Sequence, residues 1–578
     1  MSSLNIEQKN IGSLFKDRNT PFLVPDYQRP YSWTLEHCET LWNDIYEFAF
    51  PDEDATAFDN KDEYFLGTIL TFRNKDKKDE VIDGQQRLIT FLLLLRAFYV
   101  AFVDMKDTND EDIRDVLSEI EKCIWNKEPR QPLNKDVIKI ESEVASDDDR
   151  ITFNEIMKNG AIGDEIKNYY AENYRWFQKK IGNLKMTKSN LFLDMPWRIL
   201  RNCVLLPITT ESQDTALRIF TTLNDRGMPL SDSDIFKAQF YKFYSTDEDS
   251  KKKFAKRWKD LEKICKDSFH SRNIKPLDDL FTRYMYYILA SKNSRTTTLK
   301  GLRKFYEQDN YSKLRNENTF EDLMALADFW HKIYKRDEIF SERVTRCLYI
   351  LDYSPYNIWY YIVSVYFLKN RDAKGRLDEK AFFKFLNKVT AFTLGYSIYK
   401  PGVAAIRLPM MNEMVNVSNG KSVEFEEYKF SASLLSDKCK ELVFSNSKMI
   451  TRAMLAWWTF GDDKQKLPDI DIKLEIEHIH AKNRQDTLID EDSLELLGNK
   501  ILLEKGINVR ASDFRFSDKK KYYLGQKKGG KRDEGTIIIE LRHIAEEKND
   551  FTEKDIKKRN EKIFSRFMSY LAQNGLLK

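Results

Sequence analysis

The sequence predicts an α+β chain that is mostly helical, and three observations carry this. Residues 240–430 alternate charged and aromatic positions at helical spacing, as in LDDLFTRYMYYILA and YNIWYYIVSVYFLK. The segment EVIDGQQRLITFLLLLRAFYV runs from strand character at residues 80–82 into a long apolar helical stretch. Near the C-terminus, IEHIHAKNRQDTLIDEDSLELLGNKILLEKGINVR has room for a strand, a loop, a second strand and the start of a helix. At 578 residues the chain is too long for one core. The expected organisation is an N-terminal domain over 1–240 with a helical insertion near 100–200. A helical scaffold over 241–430 and a C-terminal domain over 431–578 follow.

Hydrophobic residues make up 42% and aromatics 13%, which is ample for packed cores and excludes a disordered chain. Charged residues reach 32% but nearly cancel, to +3, so any nucleic-acid surface must be local. Six cysteines lie far apart with no CxxC pair, which argues against a disulfide framework or a zinc site and fits a reducing cytosol. No signal peptide opens the chain. The apolar run at 88–103 is short for a bilayer and carries Arg96 in its middle, so it reads as a buried helix. A soluble, cytoplasmic protein is the expectation.

In the N-terminal domain, Asp83-Gly84-Gln85-Gln86-Arg87 sits on the strand-to-helix turn. Gly84 permits the sharp bend, the helix N-terminus offers unpaired N–H groups, and Arg87 adds a planar fork for phosphate oxygens. Asp83 suits a metal ion or an oriented water. The bland reading is an Asp cap paired with its own Arg. Ser231 followed by Asp234 fits a helix cap ahead of Ile235-Phe236. Tyr31 and Trp33 read as core packing rather than base stacking.

In the C-terminal segment, Glu477-His478, then Asn499, then Asn508 supply what a one-metal nuclease needs. A carboxylate beside an imidazole offers a hard ligand and a base for water; a late Asn closes the ion site, and a middle Asn braces the loop. His480 should share a face with His478, as an assistant to the site or as a hydrogen-bonded neighbour. Between Arg515 and Arg532 stand eight Lys or Arg against the single acid Asp518. That stretch is either a phosphate-contact surface or a solvated helix face. Residues 525–531 match GxxxxGK, but Arg532 replaces the Ser or Thr that would hold magnesium, so a P-loop is rejected. The middle aromatic stripe reads as core rather than a stacking platform for single strands.

The C-terminal segment resembles an HNH (ββα-metal) nuclease of the kind found in GmrSD-type restriction proteins. Four blocks, VPDYQRPYSW at 24–33, YFLGTIL at 64–70, DGQQR at 83–87 and IFTTLNDRGMPLSDSDIFK at 219–237, resemble the N-terminal domain of the same family. The resemblance implies a ParB/sulfiredoxin-like N-terminal fold, a helical middle and a ββα-metal C-terminal domain. It implies Glu477 and Asn508 as ligands of Mg2+ or another divalent ion, His478 as general base and Asn499 as the structural Asn. Tyr27, Gln28, Arg29, Asp83, Gly84, Gln85, Gln86 and Arg87 would form the pocket for a nucleoside triphosphate, GTP or ATP. Asp83 and Arg87 would act in its turnover; Asn224, Arg226, Asp234 and Lys237 are weaker members. The implied function is an anti-phage endonuclease that couples nucleotide hydrolysis and sensing of modified double-stranded DNA to metal-dependent cleavage, in a chain that is monomeric or a homo-oligomer. Relatives often carry a proline where this chain has Ala481. That departure keeps a rival open, a nucleotide-dependent DNA-binding sensor with an inactive HNH-like domain. An RNA-cleaving toxin is a further alternative.

Overall fold

The computed structural model describes residues 5–578 apart from 19, 54–57, 106–110, 127–133, 145–148, 213–214, 217–218, 220–231, 245–246, 270–273, 297–300, 338–339, 484–489 and 526–534. The fold is α+β, about 62% helical, with a small mixed sheet. The chain packs as two compact units, Met1–Asp260 and Leu261–Lys578.

The first unit is built on a sheet of short strands. They are β1 (Asn5–Ile6), β2 (Lys9–Asn10), β3 (Phe22–Val24), β4 (Tyr64–Arg73), β5 (Asp79–Asp83), β6 (Ile140–Ser142) and β7 (Cys203–Thr210). The order is β1-β7-β4-β5-β3-β6, with β2 also on β7. β4 and β5 are antiparallel, whereas β4 with β7, β3 with β5, and β3 with β6 are parallel. From β5 the chain turns into the helix Gln85–Val103 through Gly84, whose φ is 94°. A Cβ at Gly84 would lie 2.3 Å from Ile69 Cδ1, which would have to shift, and the positive φ itself favours glycine there.

That helix is long and apolar enough to cross a membrane, yet it is largely buried as the centre of this unit's core. Arg96 is buried with it, donating from Nε to the carbonyls of Ile156 and Met157 at the end of the helix Arg150–Asn159. The helices Glu111–Ile124, Tyr169–Thr187 and Ser189–Asn202 bury Ile120, Phe177 and Phe192 in the same core. Residues of the 100–200 region therefore complete the core around Gln85–Val103, and β6 extends the sheet from within it.

The second unit begins with helices, among them Pro276–Ser291, Glu317–Lys335, Glu342–Asp352, Ile358–Asn370 and Glu379–Tyr399. Their aromatic positions pack inward, as in the Phe329–Phe367 and Tyr286–Tyr361 stacks with centroids 4.1 Å apart. The stripe is core, as its helical period predicts. Later, β8 (Leu474–His478) and β9 (Lys500–Glu504) form an antiparallel pair in register from Leu474↔Glu504 to His478↔Lys500. The helices Lys505–Ala511, Phe516–Tyr523, Ile539–Glu547 and Glu553–Gln573 follow. The last helix packs so closely on the turn before β9 that a Cβ on Gly498 would lie 2.0 Å from the Ile556 carbonyl oxygen.

Candidate functional site

On β8, successive side chains alternate between faces. Glu475 and Glu477 share one face, and His478 points to the other. Glu475 accepts from Asn508 Nδ2 at 3.1 Å, across from the first turns of Lys505–Ala511. Glu477 is buried and held by two donors on Phe516–Tyr523, Lys519 Nζ at 2.8 Å and the Tyr523 hydroxyl, both on Oε1. Burial raises the Glu477 carboxyl above its ordinary range, and Lys519 and Tyr523 offset this only in part.

His478 faces its cross-strand neighbour Lys500 and Glu495, with Nε2 3.7 Å from Glu495 Oε1. Nε2 is buried and carries no hydrogen bond. Burial, with Lys500 adding to it against Glu495, lowers the imidazole to about 4, so the ring is neutral at pH 7. Lys500 is fully buried and donates to Glu495 Oε2, Asn446 Oδ1 and the Phe444 carbonyl.

Asn499 is fully buried and grips the chain just beyond β8. Its Oδ1 accepts from the His480 N–H at 2.7 Å, and its Nδ2 donates to the carbonyls of His480 and Leu494. Its own carbonyl accepts from the Ile479 N–H. The middle Asn is thus a brace for the strand exit, as its sequence position predicts. His480 Nδ1 lies 3.1 Å from the Phe551 carbonyl, so its ring is a hydrogen-bonded neighbour. Behind the brace, Arg559 donates from Nη1 to the carbonyls of Leu497, Gly498 and Lys500 while Nε and Nη2 grip Glu540. Trp458 Nε1 donates to the same carboxylate.

The structure therefore brings Asn499 to the His480 main chain and Asn508 to Glu475, but it separates the side chains of Glu477 and His478. Glu475 and Glu477 lie on one face of β8, Glu475 bonded to Asn508 and Glu477 to Lys519 and Tyr523. Among the described residues no three His, Cys, Asp or Glu side chains converge as a metal cluster. Glu475 was the missed candidate, and the two-residue strand period beside Glu477 is the signal for it. Lys519 corrects the basic-stretch reading. It is buried and committed to Glu477 and the His478 carbonyl, while Lys520 donates to the Lys548 carbonyl and Lys521 to Asp518. The lysines and arginine at 527, 528, 531 and 532 lie outside the described residues.

In the first unit, the DGQQR glutamines bond to the 29–32 segment, while the buried Gln85 Oε1 has no hydrogen-bond partner among the described residues. Gln85 Nε2 donates to the Arg29 carbonyl, and Gln86 donates to the Pro30 carbonyl and accepts from the Ser32 N–H. Gln28 donates to the Ile82 carbonyl, and Tyr27 packs against Tyr241 with centroids 5.3 Å apart. These four side chains clamp the 25–32 segment onto β5 and its helix. Asp83, Arg87 and Arg29 remain half-buried beside them. Burial raises the Asp83 carboxyl, with Arg87, the Gly84 N–H and Arg29 opposing, and burial lowers Arg87, whose Nη1 donates to the Thr68 carbonyl at 2.7 Å. Tyr31 is core, bonded to Thr90 and Asn173 and stacked on Tyr170, while Trp33 stacks on His37 at its margin. Asp234 and Lys237 lie on the helix Asp232–Tyr244, Lys237 buried; Asn224, Arg226 and Ser231 lie outside the described residues.

The model of the GmrSD restriction endonuclease N-terminal domain matches residues 11–241, and that of the GmrSD C-terminal domain matches residues 427–566. No curated protein matches the chain. The two matches cover the sheet from β3 to β7 with its DGQQR turn, and the β8–β9 hairpin with its brace, each in its own unit. The chain belongs to the GmrSD family of type IV restriction endonucleases, whose substrate is DNA.

Proposed function

We infer that the C-terminal unit cuts DNA as an HNH-type, metal-dependent nuclease, with the β8–β9 hairpin and the helix after it as the ββα element. The observation that carries this reading is the Asn499 brace, which fixes the strand exit next to His478 through both its amide atoms. By the family resemblance Glu477 and Asn508 would hold the ion; here Glu477 pairs with Lys519 on the face of β8 away from His478, so that role requires Glu477 to release Lys519. When bound, a divalent ion would supply charge stabilisation at the scissile phosphate and the leaving oxygen. His478, neutral at pH 7 with an uncommitted Nε2, is suited to accept a proton from water. That atom is covered, so cleavage requires the Glu495 side of the imidazole to open to water and phosphate. Cleavage of plasmid and phage DNA, with and without Mg2+, tests this. Metal-dependent nicking should vanish in His478→Ala, and normal cutting by that variant overturns the assignment.

In the first unit, Asp83, Arg87 and Arg29 would contact the phosphates of GTP or ATP at the helix N-terminus, coupling nucleotide turnover and sensing of modified DNA to cleavage in the cytoplasm. Asp83→Ala and Arg87→Ala should lose hydrolysis while metal binding at the nuclease persists; unchanged hydrolysis in both removes this pocket from the mechanism.

A second reading, a DNA-binding sensor without cleavage, is favoured by one specific observation: Lys519 already neutralises Glu477, on the face of β8 opposite His478. A binder's output needs no divalent ion, so chelation separates the two readings.

A further inference from the structure

Lys519, Lys520 and Lys521 are committed to protein partners, so the surface beside the hairpin exit is defined by the turn that precedes them. This turn joins the helix Lys505–Ala511 to the helix Phe516–Tyr523. Val509 is 66% exposed ahead of it, and Phe514 within it is 46% exposed. A single apolar side chain in water needs no explanation. Phe514 is not single. Tyr522 stands beside it, with ring centroids 6.3 Å apart and planes 17° apart. Among the described residues no cation and no other ring covers Phe514.

Ser512 takes the chain out of the first helix at φ 42° and ψ −148°. A serine keeps such a backbone only where its surroundings hold it. Here Asn483 Nδ2, from the chain just beyond β8, donates to Asp513 Oδ2 at 2.7 Å. The turn is thereby tied to the strand exit that Asn499 braces.

Lys482 precedes Asn483, and Arg515 follows Phe514. Both are exposed and form no ion pair among the described residues. The neighbouring carboxylates are engaged: Asp513 by Asn483, Asp518 by Lys521 at 3.0 Å, and Glu475 by Asn508. Two open cations suit any polyanion, and an open ring between them adds a preference for one that carries stackable bases. The family's DNA substrate has both.

We propose that this turn is a DNA-contact surface at the hairpin exit. Phe514, backed by Tyr522, packs against a base at an opened step of the duplex, as an apolar wedge does. Lys482 and Arg515 meet phosphates on either side. The proposal builds on the reading of the hairpin as a DNA-cutting element, and binding without cleavage lets each fail alone.

Fluorescence anisotropy of a labelled duplex of phage DNA, titrated with the full chain in EDTA over a range of salt, tests this. Phe514→Ser should bind about tenfold more weakly, the loss of one base–aromatic stack, with an unchanged salt slope. Phe514→Trp should bind as the wild type does. Lys482→Ala/Arg515→Ala should lower the slope of log K against log salt by about 1.8, roughly 0.9 for each phosphate released. A chain that binds in this way and cuts nothing upholds the surface while the nuclease reading falls. Absence of saturable binding, or wild-type binding by Phe514→Ser, overturns the proposal, and so does a loss that Phe514→Trp shares. If Phe514→Ser instead dissociates a dimer in sedimentation and leaves DNA binding intact, the patch joins copies of this chain and the proposal falls.

Discussion

Replacing Lys519 by Met removes an ammonium of similar reach from beside a buried carboxylate. Lys519 Nζ lies 2.8 Å from Glu477 Oε1 and 2.7 Å from the His478 carbonyl, and the two side chains are only 1% and 7% exposed. Without it, Glu477 keeps the Tyr523 hydroxyl but loses its counter-charge, and the His478 carbonyl loses a donor. Breaking a buried pair in this way costs about 3–5 kcal/mol. Glu477→Gln alone strands Lys519 and should cost a similar amount. The double variant Lys519→Met/Glu477→Gln buries no charge, so its cost should fall short of the sum by about 2–3 kcal/mol.

Two compact units make a single unfolding midpoint a poor measure, so the cycle is best read locally by hydrogen exchange at Ile476, Ile501 and Leu503. A loss of 3–5 kcal/mol is roughly a hundredfold or greater acceleration of exchange. Exchange within about threefold of the wild type in Lys519→Met, or additive effects in the double variant, refutes the assignment of Lys519 as the structural counter-ion of Glu477.

Gly84→Ala should destabilise the first unit by about 2–4 kcal/mol, from the left-handed φ and the Cβ contact with Ile69. Unchanged hydrogen exchange within the helix Gln85–Val103 would refute this. The His478 ring titrates at about 4 rather than 6.5, so between those values the unfolded chain binds a proton that the fold does not. Stability around the hairpin is therefore fully present above pH 6.5 and falls by about 3 kcal/mol as the pH drops to 4. Exchange measured across that window should show a slope that His478→Gln removes, and equal slopes in the two proteins contradict it. Arg559→Ala removes this cation from Glu540 and a donor from each of three carbonyls, at a cost of about 3–5 kcal/mol. Arg559→Lys should rescue little, since an ammonium lacks the planar fork; near-wild-type exchange at Ile501 in Arg559→Lys would argue against that geometry.

The parts of the site legible in the sequence were those governed by local backbone rules. LGNK before an apolar run marks β9, Glu477-His478 within LEIEH marks its partner, and a single Asn at the junction is a natural main-chain brace. At a helix start, the side-chain amides of Gln85 and Gln86 look like ligand donors, and their main-chain partners are not visible in the sequence. The extended segment around Pro25 and Pro30 has carbonyls that need donors, and those glutamines supply them, which only the tertiary pairing reveals. Lys519 was hidden differently, inside a basic run that reads as surface. Its helical phase was available: Phe516, Lys519 and Tyr523 fall on one face of Phe516–Tyr523, and all three are buried. Arg559 left no trace, because its partners lie far away in sequence.

The buried charge around the hairpin has a common form. Lys519 joins Glu477 to the His478 carbonyl, Lys500 joins Glu495 to the Phe444 carbonyl, and Arg559 joins Glu540 to the carbonyls on both sides of Asn499. Buried ion pairs are a poor way to stabilise a fold, since well-packed apolar side chains do as well or better. Three of them set around one small hairpin, each cation also donating to main chain, act instead on position. They hold the exit of β8 and the entry to β9, the two points from which His478 and Asn499 project. The proposed cleavage would have to keep an imidazole and a phosphate in register, and so would need its backbone fixed before the substrate arrives. The placement of these cations answers that need more directly than any requirement of stability.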